Sequence, residues 1–269
     1  MIAVVGNLAV DRVAGGAPRV GGAVFYAGRA AAQLGVEARL AARCAPEDDE
    51  VALAPLRALG LPLCFGPARR TTGFSFHYEG EHRVMTVDAV GDPWTAGDVT
   101  GWAAPALAGA TWVHVGALLR SDFGAGALQA LAREARRLLV DAQGLVRLAQ
   151  TGPLRRDGGV APETLAAVHV LKLSEDEAQL LAGSVEVAAL RALGVPEIVL
   201  TLGSAGSVVV TAGGCERVVA EPVEVSDPTG AGDTYAVGYL AARAAGADPV
   251  EAARSASALV TATLAERAS

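Results

Sequence analysis

Lysine is nearly absent from this chain. Lys172 is the single one, set against 21 arginines among 22 basic residues, and asparagine occurs once, at Asn7. Ile and Met occur twice each, while Ala occurs 57 times. The simplest reading of this skew is nucleotide-composition bias, with depletion of thermolabile residues a weaker one. Positions where asparagine or lysine would be chemically useful can therefore carry substitutes. Cysteine is scarce as well. Cys44, Cys64 and Cys215 are odd in number and far apart, with no Cys-x-x-Cys pair and no Cys/His cluster. That pattern argues against a disulfide framework and against a structural zinc site. Charged residues make up only 19% of the 269, but the hydrophobic fraction is 52%, which excludes global disorder. A chain near this length buries roughly 75% of its unfolded surface without needing staples.

Positive charge is also in deficit. Lys plus Arg is 22 against 29 for Asp plus Glu, a net charge of −7. No general nucleic-acid or anionic-membrane face is expected from that balance. It leaves open a compact phosphate site made from backbone N–H groups and a metal ion. The one stretch without Asp, Glu, Lys or Arg that approaches membrane length is 101–119, but Pro105, Gly109, His114 and Gly116 divide it into a turn, a strand and a loop. It reads as buried core. No basic segment followed by an apolar one opens the chain, so the expectation is a soluble, cytoplasmic protein without a nucleic-acid or membrane partner.

What the chain does have is strand–helix alternation, the mark of a wound α/β sheet. Ile2–Gly6 is a short apolar run suited to a buried parallel strand. An Ala-rich helix is predicted over 22–34 with Gly35 as its stop, a strand over 38–43, a helix over 48–59 and a strand over 61–65. After 112–115 as a strand come a helix over 123–137 and a strand over 138–141. Strands at 168–173, 197–202, 207–211 and 217–220, a helix at 175–181, and two final helices broken near Gly246–Pro249 complete the series. Residues 72–88 interrupt it. They alternate, turn at Glu79–Glu81 and alternate again, a β-hairpin signal expected to leave the main sheet as part of a small lid, with 11–20 supplying a further piece. The plainer possibility is an antiparallel edge of the main sheet.

The segment richest in chemistry is Ser226-Asp-Pro-Thr-Gly-Ala-Gly-Asp-Thr234, which runs into the apolar helix beginning at Tyr235. Gly230, Ala231 and Gly232 let a ligand approach their backbone N–H groups at a helix N-terminus, where the macrodipole favours an anion. Asp233 sits at the same spot. A carboxylate beside a phosphoryl group is repulsive unless it accepts the proton of an attacking hydroxyl. The combination points to phosphoryl transfer to an alcohol; the structural alternative is a helix start with an acid in its first turn.

This segment resembles the C-terminal signature of the ribokinase-like (PfkB-type) carbohydrate kinases. The resemblance implies a single three-layer α/β/α domain over 1–269 with a small β lid, and transfer of the ATP γ-phosphate to a sugar, inositol or nucleoside hydroxyl. It implies Asp233 as the catalytic base and the backbone of Gly230, Ala231 and Gly232 as an anion hole. Asp227 and Thr229 fall where many members hold a monovalent cation such as K⁺. Val5–Asp11 resembles the family's first strand with its substrate-binding aspartate, and a carboxylate can grip vicinal hydroxyls. Gly21-Gly22-Ala23-Val24-Phe25-Tyr26 resembles its double-glycine substrate segment, with Tyr26 where many sugar kinases carry Asn. Leu173-Ser174-Glu175-Asp176-Glu177 is similar to the family's Asn-x-x-Glu segment, with Ser174 in place of Asn and Glu177 organising Mg²⁺ through water. Thr201, Gly203 and Gly206 match its nucleotide-site turn, and Ser257 its adenine side. Val140–Arg147 resembles a segment of a subgroup that includes inositol-type and nucleoside-type kinases. A dimer through a reduced lid is a further expectation. The rival from another class is a non-catalytic nucleotide or sugar sensor on the same scaffold, motivated by Tyr26 and Ser174.

Other chemistries lack their motifs. There is no G-x-x-x-x-G-K-[ST] and no G-x-S-x-G, and His77, His82, His114 and His169 show no metal-ligand spacing. His77 and His82 flank the hairpin turn and are read as solvated.

Overall fold

Apolar runs with no polar face need burial on both sides, and that requirement organises the molecule. The computed structural model describes residues 1–14, 16–79, 82–221 and 229–268, without the side chains of 78, 79, 82, 83 and 266–268. Its strands in chain order are β1 (Ile2–Asn7), β2 (Ala9–Val13), β3 (Arg19–Gly21), β4 (Ala38–Cys44), β5 (Leu63–Pro67), β6 (Thr72–Glu79), β7 (His82–Ala89), β8 (Trp112–Gly116), β9 (Arg137–Asp141), β10 (Gly152–Pro153), β11 (Val170–Ser174), β12 (Glu197–Thr201), β13 (Ser207–Thr211) and β14 (Gly214–Val218).

Among the described residues, nine strands form the main sheet in the order β14-β13-β12-β11-β9-β8-β1-β4-β5. From β5 through β12 every pairing is parallel, and β13 and β14 close the far edge antiparallel. Successive residues alternate between two cores, as a period of two demands. Ala3 and Val5 join a core with Leu128, Leu131, Ala178 and Leu190 on one side, while Ile2 and Val4 join one with Ala27, Val237, Leu240 and Ala256 on the other. Helices thus cover both faces, a three-layer arrangement. No helix among the described residues is long and apolar enough to cross a membrane.

The hairpin of β6 and β7 belongs to a second sheet, β10-β7-β6-β2-β3, in which β2 pairs with β6 in parallel and with β3 antiparallel. Phe74 and Val87 on this sheet pack with Ala9, Leu118 and Leu119 in a core of their own. In chain order the main sheet grows from β1 outward to β4 and β5, then returns to β8 and grows the other way. The reversal lies between β1 and β8, where an α/β sheet opens a crevice at its strand C-termini. Asp122 fixes the chain beyond β8 by accepting from the Leu118 and Leu119 amides at 2.7 and 3.3 Å.

Three expected elements come out differently. The helix predicted over 123–137 spans only Ala125–Leu131. Glu134 and Ala135 both adopt φ 60°, and the buried Arg136 guanidinium donates back to the Leu131 carbonyl at 2.8 Å, ending the helix before β9 begins. The helix predicted over 48–59 is a 3-10 turn (Pro46–Asp48), a π turn (Asp49–Leu53) and a short α-helix (Ala54–Arg57), because Pro55 lacks the N–H an unbroken ladder needs. The strand placed at 217–220 starts earlier as β14, since the hairpin from β13 turns within two residues.

Candidate active site

Parallel strands deliver their last residues to one end of the sheet, and there the polar residues collect. Asp141 ends β9, Ser174 ends β11 and Thr201 ends β12. All three line a cavity of about 430 Å³ that also receives Asp11, Gly22 and Tyr26 from the N-terminal region and Thr229, Gly230, Gly232 and Asp233 from the glycine turn. The early and the late carboxylates therefore share one cleft. Phe74 on β6 and Met85 on β7 reach it from the second sheet.

Local geometry explains why glycine stands where it does. Asp11 is buried, 9% exposed, and a Cβ built on Gly21 of the neighbouring strand would land on its carboxylate. Gly21 does not line the cavity itself; it makes room for the residue that does. Gly230 caps the helix Ala231–Ala244 in the left-handed region, with φ 82°, and its Cα faces the Tyr26 ring so closely that a Cβ would come within 3.0 Å. The Arg29 guanidinium lies 5.1 Å from the same ring.

The charges in the cavity are strongly coupled. Lys172, on β11, donates to Asp141 at 2.6 Å, with side-chain exposures of 7% and 13%. Burial opposes the charge on both. The Lys172 ammonium nevertheless holds the Asp141 carboxyl below the usual carboxylate range, and Asp141 with Glu177 holds the ammonium above its own. Asp233 is pushed up to about 7, first by burial and then by the Asp141 charge, with Lys172, Arg29 and Arg147 acting the other way. Burial and Asp141 also raise Glu177. Asp233, raised to about 7, is poised to exchange a proton near neutrality.

Glu177 and Ser174 form a capping box at the start of the helix Glu175–Ala182: the Ser174 amide donates to Glu177 at 2.8 Å, and the Ser174 hydroxyl accepts from the Glu177 amide at 3.4 Å. Both line the large cavity. One Glu177 oxygen is thus used in the cap, and the other carries no described hydrogen bond. A carboxylate oxygen left over from the cap suits a magnesium ion that keeps most of its waters.

A second pocket, about 250 Å³, opens on the other side of Thr201 and Gly232. Gly203 and Gly206 form its turn, Ser257 and Thr261 come from the helix Pro249–Ala268, and Tyr235, Val260 and Leu264 make it apolar. Ala231 lines it too. Ser174, expected at the nucleotide, lines the larger cavity with Asp233 and Thr201, and its hydroxyl accepts from the Glu177 amide at the helix start. Asp227 lies outside the described residues, so of the expected cation pair only Thr229 is seen at the cavity edge. His77 is exposed on β6 and does not line the cavity; the side chain of His82 lies outside the described residues.

Sequence reasoning passed over Lys172 and gave no role to Asp141, Phe74 and Met85. A detectable signal existed for Lys172: a single charge inside an apolar parallel strand, in a chain with no other lysine. Arg147, which ends the segment resembling the inositol-type and nucleoside-type subgroup, lines the cavity with Gln143 and lies 5.8 Å from the Phe74 ring. The solitary Asn7 has a structural use, accepting from the Trp94 indole at 2.9 Å and donating to the Asp92 carbonyl at 3.1 Å.

A mostly parallel α/β sheet with a glycine-turn acid at its C-terminal end, an apolar pocket beside it and a small sheet over it is the architecture of a small-molecule phosphotransferase. The chain belongs to the pfkB family of carbohydrate kinases, whose model matches residues 20–268. It is accordingly an enzyme that moves a phosphoryl group to an alcohol. The fold is that of ribokinases. The chain superposes on a ribokinase-family pyrophosphate-dependent kinase, solved with a pyrophosphate analogue and myo-inositol, with a TM-score of 0.83 and 23% identity over 98% of this chain and 95% of that one. For Arabidopsis thaliana ribokinase, solved with ribose and ATP, the TM-score is 0.73 at 18% identity, covering 98% and 92%. For a Burkholderia thailandensis nucleoside kinase with inosine it is 0.75 at 18% identity, covering 98% and 91%.

Proposed function

We propose that this protein transfers the γ-phosphate of ATP to a hydroxyl of a small polyol, a sugar, an inositol or a nucleoside, with Asp233 accepting the hydroxyl proton. The observation that carries this reading is that Asp11 and Asp233 line one cavity of about 430 Å³. Asp11 accepts hydrogen bonds from substrate hydroxyls, the backbone at Gly22 lies against the ring, and the reacting hydroxyl faces Asp233. With its proton affinity raised to about 7, Asp233 is matched to a base working near neutral pH. The amides of Gly230, Ala231 and Gly232, at a helix N-terminus, stabilise charge on the moving phosphoryl oxygens. Phe74 and Met85 act as the inner face of a lid that keeps water from the reacting group.

The apolar pocket supports a nucleotide donor. Tyr235, Val260 and Leu264 offer a flat hydrophobic slot for a base, and the Gly203–Gly206 turn leaves room beside it. Glu177 would hold magnesium through water, and the ion would supply shielding of the phosphate charge. Thr229 with Asp227 is the proposed seat for potassium, read out as a potassium dependence of kcat.

The test is ADP formation from Mg-ATP against pooled sugars, inositols and nucleosides, with a parallel arm in which Mg-pyrophosphate is the donor. Turnover above the ATP-only background in one pool is the expected result. Turnover only in the pyrophosphate arm overturns the ATP assignment. Measurable binding of nucleotide and polyol without turnover in either arm favours the sensor.

A further inference from the structure

Asp233 stands in the first turn of the helix Ala231–Ala244, and the packing of that helix does little to hold it along its own axis. Toward the helix Pro249–Ala268 it presents Gly238, so close that a Cβ there would come within 2.9 Å of Leu259 and 3.2 Å of the Ala256 backbone. Ala252, Ala253 and Ala256 of that neighbour lie in the same core. Small residues let two helices approach but raise no ridges, and ridges set in grooves are what resist sliding. A slide matters here, because the helix start carries the glycine-turn amides and the Asp233 carboxyl.

Polar tethers supply that constraint. Tyr235, which lines the smaller pocket, shares a hydrogen bond of 2.9 Å with the Ser207 hydroxyl. One turn on, the Tyr239 hydroxyl donates to one carboxylate oxygen of Glu197, and Arg243, a further turn on, donates to the other at 3.1 Å. Glu197 opens β12, and Thr201 ends it at the cavity, about 13 Å away along the strand. Ser207 pairs with Thr201 across β12 and β13, so the helix is pinned at both ends of one strand pair. Tyr239 is fully buried and the Glu197 side chain is 9% exposed. Stability gives little reason for this cluster. Arg243 Nε is buried with no acceptor among the described residues, and its guanidinium shares the Trp112 ring with that of Arg137, at 5.3 and 5.4 Å. Buried ion pairs are often replaced by apolar groups without loss, and their best-attested use is to fix register.

We propose that Glu197 is a positioning residue for phosphoryl transfer: by gripping Tyr239 and Arg243 it sets the axial position of the helix Ala231–Ala244 and so places Asp233 against the acceptor hydroxyl. This rests on the phosphoryl-transfer reading of the cavity. Asp233 is six positions before Tyr239, about 9 Å along the axis, so the tether reaches the reacting centre only through the helix. A misplacement near 1 Å at a reacting group costs up to about a hundredfold in rate. The tether should therefore act on kcat, while the grip on the acceptor at Asp11 and Gly22, which stand on other elements, should not change.

Tyr239→Phe removes the hydroxyl and keeps the ring. With the acceptor pool that turns over with Mg-ATP, its kcat is expected to fall about ten- to a hundredfold, with the acceptor KM within about twofold of wild type. Leu190→Ala, which opens a cavity in the core on the other face of the sheet, is the stability control. It is expected to lower the melting temperature at least as far as Y239F does and to leave kcat unchanged. A second readout needs no turnover. In ¹⁵N-labelled protein the amide signals of Gly230, Gly232 and Asp233 are expected to shift in Y239F and to hold their places in L190A. Wild-type kcat in Y239F, an equal loss of kcat in L190A, or unmoved turn amides in Y239F overturns the proposal and leaves the kinase reading standing. No turnover by the wild-type protein in any pool removes the kinase reading and this proposal with it. Glu197→Ala leaves a buried guanidinium unpaired and can fail to fold, and Y239F then carries the test. Where E197A folds, adding Y239F is expected to cost no more than about a further twofold in kcat, because the two residues act as one unit. A further loss as large as that of Y239F alone overturns the assignment.

Discussion

The two cavities that meet at Thr201 and Gly232 are built from opposite materials. The larger carries Asp11, Asp141, Lys172, Glu177 and Asp233, all wholly or partly buried. The smaller is walled by Tyr235, Ala220, Val260 and Leu264, with hydroxyls from Ser257 and Thr261. Burying coupled charges is costly and is tolerated where their proton affinities or hydrogen bonds are used in chemistry. An apolar slot holds a ligand by removing area from water, and its contribution is largely indifferent to the progress of the reaction. Substitutions on the charged side should therefore strike turnover, and those on the apolar side the donor's KM.

The largest effect is expected from Asp233→Asn. It keeps shape and removes the proton acceptor, so kcat should fall by about 10²- to 10⁴-fold, with polyol and nucleotide affinities by calorimetry close to wild type. Wild-type-like turnover would remove the assigned base. Next comes the substrate end. Asp11→Asn should lower kcat/KM for the polyol about ten- to a hundredfold while leaving the donor's KM alone. Gly21→Ala should produce a similar loss, because its Cβ meets the Asp11 carboxylate. An effect on the donor instead would reverse the assignment of the cavity's two ends.

The pH profile tests the electrostatics directly. Asp233 must be ionised to accept a proton, and its affinity is raised to about 7. Below that pH the carboxyl is protonated, so kcat/KM should rise about tenfold per pH unit and level off above it. A profile flat from about pH 5.5 to 8 would mean that no group of this kind limits the reaction. The smallest effect should come from the apolar side. Leu264→Ala should raise the KM for ATP about three- to tenfold with kcat unchanged, as expected for lost apolar burial. Any pyrophosphate-driven turnover should be insensitive to it.

How far the sequence reached depended on whether a signal was local. The glycine turn before an apolar helix fixed Gly230–Asp233 at an anion-favouring helix start, whereas Asp11 was reached only through resemblance, and the structure sets it within β2 of the second sheet, beyond the end of β1. Alternation across 72–88 showed a hairpin. The helix expected over 123–137 failed because what ends it is the Arg136 side chain folding back on the Leu131 carbonyl, an interaction that periodicity does not register. Lys172 was passed over for a related reason. Read along the strand it is one charge in an apolar run, and only the adjacent strand β9 supplies Asp141 to pair with it. Ser174 was placed at the nucleotide by resemblance alone; that it caps the helix Glu175–Ala182 follows from its own sequence position.

By itself the sequence determined the strand–helix rhythm, the two-sided burial of the parallel strands and the identity of the glycine-turn acid. These follow from periodicity and from backbone freedom over a few residues, which neighbouring side chains encode directly. Tertiary structure alone decided that residues 11 and 233 face one cavity, that β2 joins β6 in a second sheet, and that the solitary lysine lies beneath Gly232. Those are contacts between segments far apart in the chain, and they exist only once sheet order and burial have been settled for the molecule as a whole.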